Sequence, residues 1–130
     1  MRILVLSDIH ANLTALDAVL EDAGEVDAVW CLGDIIGYGP DPNECVARMR
    51  TLPNLTCLLG NHDSAALHRI QIETFNQDAR RSIEWMQNVL TRDSYIFLYQ
   101  LPERMVSDQV TLVHGSPRNL VWEYILDLHN

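Results

Sequence analysis

Four short apolar runs in this sequence end in residues able to hold a metal ion or move a proton. They are Leu6-Ser7-Asp8-Ile9-His10, Leu32-Gly33-Asp34, Leu59-Gly60-Asn61-His62-Asp63 and Val113-His114-Gly115. Asp8 and His10 stand two apart, a spacing that in extended chain puts both side chains on one side, where they can grip one ion. Gly33 and Gly60 remove side chains just before Asp34 and Asn61, so backbone can approach a ligand closely. The donors are carboxylate, imidazole and carboxamide, with no thiolate among them. That mixture suits Mn, Fe, Zn, Ni or Co in five- or six-coordinate sites better than a structural zinc. Asp34 has two oxygens and is the natural bridge between two ions. Two divalent ions about 3.5–4 Å apart are the usual machinery for in-line attack on phosphorus.

For these residues to meet, the runs must be strands whose carboxyl ends point one way, because ligands collect there in open α/β sheets. Ile3 to Leu6, Val26 to Leu32 and Leu55 to Leu59 read as strands buried on both faces. Between the first two, Leu13, Leu16, Val19, Leu20 and Ala23 follow the helical period, with Asn12 or Thr14 as cap and Gly24 as stop. The next connection opens with Asp41-Pro42-Asn43-Glu44, a cap, an N1 proline and an N3 acid, and continues with Cys45, Val46 and Met49. This βαβαβ pattern predicts three parallel strands with right-handed crossovers. Downstream, Asn76 caps a helix whose Ala79, Ile83, Met86 and Leu90 form one stripe, and Leu98 to Pro102 closes a second helix. Sheet returns at Arg104 to Val106 and Val110 to Val113, split by the turn Ser107-Asp108.

The 130 residues, 48% hydrophobic and 21% charged, predict a single globular domain over residues 1–130. With 18 Asp and Glu against 9 basic residues, all arginine, the net charge is -9 and the pI near 4.7. Such a surface repels phosphate backbones and anionic lipid, which excludes a general nucleic-acid or membrane-surface binder. No apolar run approaches the roughly 20 residues that span a bilayer. Ser7-Asp8 cuts the first apolar run too short for a secretion signal. Cys31, Cys45 and Cys57 are odd in number and lack CxxC spacing, which fits a reducing, cytoplasmic setting. The final ten residues, Val121 to Asn130, stay largely apolar, so the chain is expected to stop short of a natural domain end.

Other features carry plainer readings. His68 reads as a solvated side chain, and Trp30, Trp85 and Trp122 as packing residues without the basic neighbours of base-stacking platforms. Gly33-x-x-x-Gly37-x-Gly39 lacks both the Gly-Lys-Ser/Thr of a phosphate loop and the GxGxxG order. A haloacid-dehalogenase reading of Ser7-Asp8 lacks the second Asp two residues on. Arg118 is a candidate contact for a substrate phosphate, the alternative being a solvated surface arginine.

The four blocks Asp8-x-His10, Gly33-Asp34, Gly60-Asn61-His62-Asp63 and Val113-His114-Gly115 resemble the first four blocks of the calcineurin-like metallophosphoesterases. The flanking Asp8-Ile9-His10-Ala11-Asn12-Leu13 and Gly37-Tyr38-Gly39-Pro40-Asp41-Pro42-Asn43-Glu44 are most similar to the prokaryotic phosphodiesterase-like branch. The resemblance implies an α/β (α+β) fold, a two-sheet β-sandwich flanked by helices with the site where the sheets meet. It implies that Asp8 and His10 hold one metal, that Asp34 bridges, and that Asn61 and His114 hold the second. It gives His62 a hydrogen bond or proton for the leaving oxygen, with Asp63 orienting its ring; helix capping is the alternative role for Asp63. Family members hydrolyse phosphomonoesters, phosphodiesters or nucleotide polyphosphates with a metal-bridging hydroxide as nucleophile. The function so implied is a metal-dependent phosphoesterase acting on a small phosphodiester or nucleotide-like ester. A fifth family block, Gly-His-x-His, is absent, so the fold is expected to be incomplete at its C-terminus. Self-association through the exposed edge, and a catalytically incomplete binding or scaffold protein on the same fold, are the corresponding alternatives.

Overall fold

The computed structural model describes residues 1–129. Strand β1 (Ile3–Leu6) leads into α1 (Leu13–Ala23), whose N-terminus is capped by Asn12 Oδ1 accepting from the Ala15 N–H at 3.0 Å. Gly24 closes α1 at φ +65, a conformation that favours glycine. β2 (Ala28–Cys31) and α2 (Pro42–Met49) follow, with Pro42 in the first turn. Asp41 makes no side-chain cap for α2; its Oδ2 accepts instead from the Leu13 N–H at 3.4 Å and ties the two helix starts together. β3 (Thr56–Cys57) completes a parallel sheet in the order β1-β2-β3, with Ile3 opposite Ala28 and Cys31 opposite Cys57.

β3 is shorter than the apolar run Leu55 to Leu59 predicts. Leu58 still donates to the Cys31 carbonyl at 2.8 Å, but the Leu59 N–H turns to the Pro102 carbonyl at 2.8 Å and leaves the sheet. The chain enters α3 (Asn61–Ala66) at once. After a 3₁₀ turn at Ile72–Thr74 come α4 (Gln77–Val89), capped by Asn76, and α5 (Arg92–Tyr99), capped by Thr91. β4 (Arg104–Val106) and β5 (Thr111–Val113) form an antiparallel ribbon, the second sheet among the described residues.

The core lies where α2, α4 and α5 cover β2 and the loops that leave the strands. Val29, Cys31, Ile35, Ile36, Met49, Leu59, Met86 and Leu98 are buried in one cluster, and Ala65, Phe75, Ala79 and Ile83 form a smaller one beside it. Full burial of side chains of this size stabilises by about 1.5–3 kcal/mol each. β1 departs from the expectation of two buried faces: Val5 is 53% exposed. The face of β1 that carries Val5 is left partly uncovered among the described residues. No helix among the described residues is long and apolar enough to cross a membrane.

Candidate metal centre

The three parallel strands deliver their following loops to one end of the sheet, as their common direction requires. Strain gathers there. Asp8, His10, Ala11, Asp34 and Tyr38 all adopt φ between +50 and +63, a region costly for residues with a side chain. Backbone bonds hold these conformations: Asp8 N–H to the Gly33 carbonyl at 3.0 Å, His10 N–H to the Asp34 carbonyl at 2.9 Å, and Ala11 N–H to the Ile35 carbonyl at 2.8 Å. Asp34 Oδ1 accepts from the His62 N–H at 3.0 Å, which fixes its carboxylate over the start of α3.

Asp34 is the centre of the cluster. Its Oδ2 lies 3.7 Å from His10 Nε2 and 3.4 Å from His114 Nε2, while His10 Nε2 is 3.6 Å from Asp8 Oδ1 and His114 Nε2 is 3.1 Å from Asn61 Oδ1. Asp8, Asp34 and His114 form one group whose donor atoms lie within 4.8 Å of each other; His10, Asp34 and His62 form another. Asp34 belongs to both. All five predicted ligands, Asp8, His10, Asp34, Asn61 and His114, line one cavity of about 350 Å³.

The imidazoles are oriented differently from one another. His10 Nδ1 is 3.2 Å from the Ile36 carbonyl and His114 Nδ1 is 2.9 Å from the Leu32 carbonyl. A carbonyl only accepts, so both rings carry hydrogen on Nδ1 and turn Nε2 inward as the donor for an ion. The residues therefore fit divalent metal. His62 breaks the pattern: its Nδ1 is buried without a partner, against Gly37, where a Cβ would lie 2.6 Å from that nitrogen. An unpaired acceptor is the cheaper of the two tautomers there, since the N–H then reaches the cavity from Nε2.

Electrostatics follow the same division. His10, bonded to Asp8, holds that carboxyl down at about 2, against the opposing effect of burial. Burial favours neutral His10 and His114, but carboxylates outweigh it, Asp8 and Asp34 for His10 and chiefly Asp34 for His114, which rises to about 9. Burial keeps His62 below its ordinary value, and the neighbouring His10 and His114 push the same way.

Asp63 and Arg118 have partners other than those expected of them. Asp63 is fully buried, yet its carboxylate does not orient the His62 ring. Oδ2 accepts from the N–H groups of Asp34 at 2.8 Å, Gly60 at 3.0 Å and Ile35 at 3.4 Å, and Oδ1 from Ile36 at 3.1 Å. The capping alternative describes it better, extended to the loop that carries Asp34. Burial and the nearby Asp34 charge raise its pKa against the Gly60, Ile36 and Ile35 amides, which stabilise its charge. Arg118, with a side chain 69% exposed, pairs with Glu123 and does not line the cavity. Glu123 lines it instead.

Of the aromatic wall, the sequence pointed only to Trp122, as a packing residue. Tyr38 packs on His10 and His62 at centroid distances of 5.1 and 4.9 Å, Phe75 on His62 at 5.1 Å, and Trp122 on Phe75 at 4.7 Å. An aromatic set between Gly37 and Gly39 was the available signal for Tyr38.

Compared with known proteins, residues 1–129 match the calcineurin-like phosphoesterase family. The chain belongs to that family. A solved metallophosphoesterase from Sphaerobacter thermophilus superposes with a TM-score of 0.83 at 50% identity, covering 96% of this chain and 51% of its own. An uncharacterised protein of Methanocaldococcus jannaschii is 39% identical over 95% of this chain and 53% of its own length. A symmetrical bis(5'-nucleosyl)-tetraphosphatase from Ectopseudomonas mendocina is 27% identical over 89% of this chain and 45% of its own. This calcineurin-like chain thus spans about half the length of the curated relatives it matches. The mixed α/β metallophosphoesterase fold, present here as a partial-length member, agrees with the fold that the four blocks implied.

Proposed function

We propose that this chain carries the metal-binding part of a phosphoesterase acting on a phosphodiester or nucleotide-like phosphate ester. The observation that carries the reading is the placement of one oxygen, Asp34 Oδ2, between the inward-facing Nε2 atoms of His10 and His114. Asp8 and His10 would hold one ion, Asn61 and His114 the other, with Asp34 shared. Two divalent ions, with manganese the candidate to try first, supply Lewis acidity at phosphorus and an acidified water when bound.

The chain's own residues do the rest. The anchored rings of His10 and His114 present their donors without rearrangement, which favours binding by pre-organisation. His62, kept neutral by burial, offers its Nε2–H to the leaving oxygen. An arriving phosphate brings negative charge that favours proton uptake at that ring. The tetraphosphatase named above supports a small nucleotide ester over a macromolecular substrate. Three buried thiols without disulfides support a cytoplasmic setting.

The test is hydrolysis of a chromogenic phosphodiester by the 130-residue chain with added Mn²⁺, with Asp34→Ala as control. Metal-dependent turnover that disappears in the control is expected. Turnover that survives Asp34→Ala overturns the reading, and none in either protein means that the 130-residue chain holds an incomplete site.

A further inference from the structure

The cavity has two chemically different parts. Its floor is polar, built from the residues placed around Asp34, whereas its rim is Tyr38, Val121, Trp122, Tyr124 and Ile125. A bare phosphate needs only the floor. At about 350 Å³ the whole space falls at the lower end of cavities that hold complete small molecules, roughly 300–1,000 Å³.

Among the rim residues Tyr38 is both open and immobilised. It is 49% exposed. Its backbone N–H donates to Ser82 Oγ at 2.5 Å, its hydroxyl accepts from Asn76 Nδ2 at 3.2 Å, and its ring rests on His10 and His62. Asn76 is also the cap of α4, so the hydroxyl is tethered to a rigid helix start. The residue sits at φ +63, a conformation disfavoured for a bulky side chain. A ring serving only to fill the core would be covered. Here a strained, three-point-tethered aromatic is left half open beside the two imidazoles of the floor. Trp122, by contrast, is engaged with Phe75.

We propose that Tyr38 is a specificity-determining residue that stacks on a planar substituent, aryl or nucleobase, of the phosphate ester. This rests on the phosphoesterase reading of the floor. Because the ring touches His10 and His62, a group stacked on it lies next to a phosphoryl held at the metals. Little rotamer freedom remains to be lost on binding, which is the advantage of a tethered platform.

The experiment is calorimetric titration of the Mn²⁺-loaded chain with phenylphosphonate and with methylphosphonate, neither of which can be hydrolysed as an ester. The readout is the ratio of the two dissociation constants, compared among parent, Tyr38→Phe and Tyr38→Leu. The parent is expected to favour the phenyl compound by about tenfold, in line with base–aromatic stacking. Tyr38→Phe keeps that ratio and Tyr38→Leu brings it toward one. A parent ratio of one, or a Tyr38→Leu ratio equal to the parent's, overturns the stacking role alone. Failure of the parent to bind either phosphonate overturns the phosphoesterase reading with it.

Discussion

The carboxylate of Asp63 accepts a hydrogen bond from the backbone N–H of Asp34 at 2.8 Å, so one buried acid fixes the backbone of another. The same carboxylate takes the amides of Ile36 and Gly60, at 3.1 and 3.0 Å. Asp34 is thereby held at φ +56 with its side chain toward the imidazoles. Asp63→Asn replaces one oxygen by an N–H₂ facing a backbone donor and is expected to cost about 1–3 kcal/mol. Asp63→Ala, which removes all four bonds, costs more. Urea denaturation checks both, and metal affinity is expected to fall in parallel. An unchanged urea midpoint for Asp63→Asn would return the residue to a role at His62.

Removing the imidazole of His62 separates ligand from proton donor. Its geometry places it in a metal-competent group with His10 and Asp34, yet its Nδ1 lacks the carbonyl anchor that both other rings have. His62→Ala is expected to keep its full complement of metal and to lose about a hundredfold or more in turnover. Metal content by mass spectrometry, beside the rate, decides the matter. Loss of one ion per chain makes His62 a ligand.

Much of this arrangement was legible before the structure, and the reasons are local. Period-3.6 stripes located α1, α2 and α4, and caps marked the starts of α1 and α4, because Asn12 and Asn76 satisfy helix amides in the way their side chains allow, whereas the expected Asp41 cap of α2 did not form. The ends of β1, β2 and β3 were legible because ligand chemistry gathers where parallel strands stop; His114 departs from that expectation, since it follows β5 of the separate antiparallel ribbon. What stayed hidden was non-local. That the amides of residues 34 to 36 converge on Asp63 depends on the loop's positive φ angles and on α3 starting beside it. Neither has a sequence period. The pairing of Arg118 with Glu123, five residues on, was equally hidden, because the turn joining them is held by Ser116, whose hydroxyl accepts from the Arg118 and Asn119 amides. For Tyr38, the contacts that matter come from Ser82 and Asn76, some forty residues away.

Gly60 offers a test of close packing at the centre. Its φ of -90 is ordinary for any residue, so a substitution there acts through space alone. A Cβ would run into the carboxylate Oδ1 and the backbone nitrogen of Asp34. Both are held by Asp63 and His62 and have little room to yield. Gly60→Ala is expected to cost about 1–3 kcal/mol and to weaken metal binding more than tenfold. Circular dichroism confirms the fold while a metal titration reads the site. Parent-like affinity would mean that the Asp34 loop gives way easily.

Proton linkage gives the last prediction. His114 is raised from 6.5 to about 9, so at neutral pH its Nε2 carries a proton that an ion must displace. His10 is shifted the same way. Binding of Mn²⁺ at neutral pH is therefore expected to release roughly one proton from His114, with a further contribution from His10. Calorimetry in buffers of different ionisation enthalpy counts those protons. For the chelated chain the sign is opposite. A raised histidine stabilises fully below its unfolded value of 6.5, and that contribution disappears as pH climbs through about 9. Asp8, lowered from 3.8 to about 2, stabilises above 3.8 and loses its contribution as pH falls through about 2. Melting of the chelated chain should therefore shift downward between pH 6.5 and about 9, while Mn²⁺ affinity rises over that window as the competing proton departs. A melting temperature that stays flat in chelator, together with proton-silent metal binding, would show that His114 is not held by Asp34 in solution.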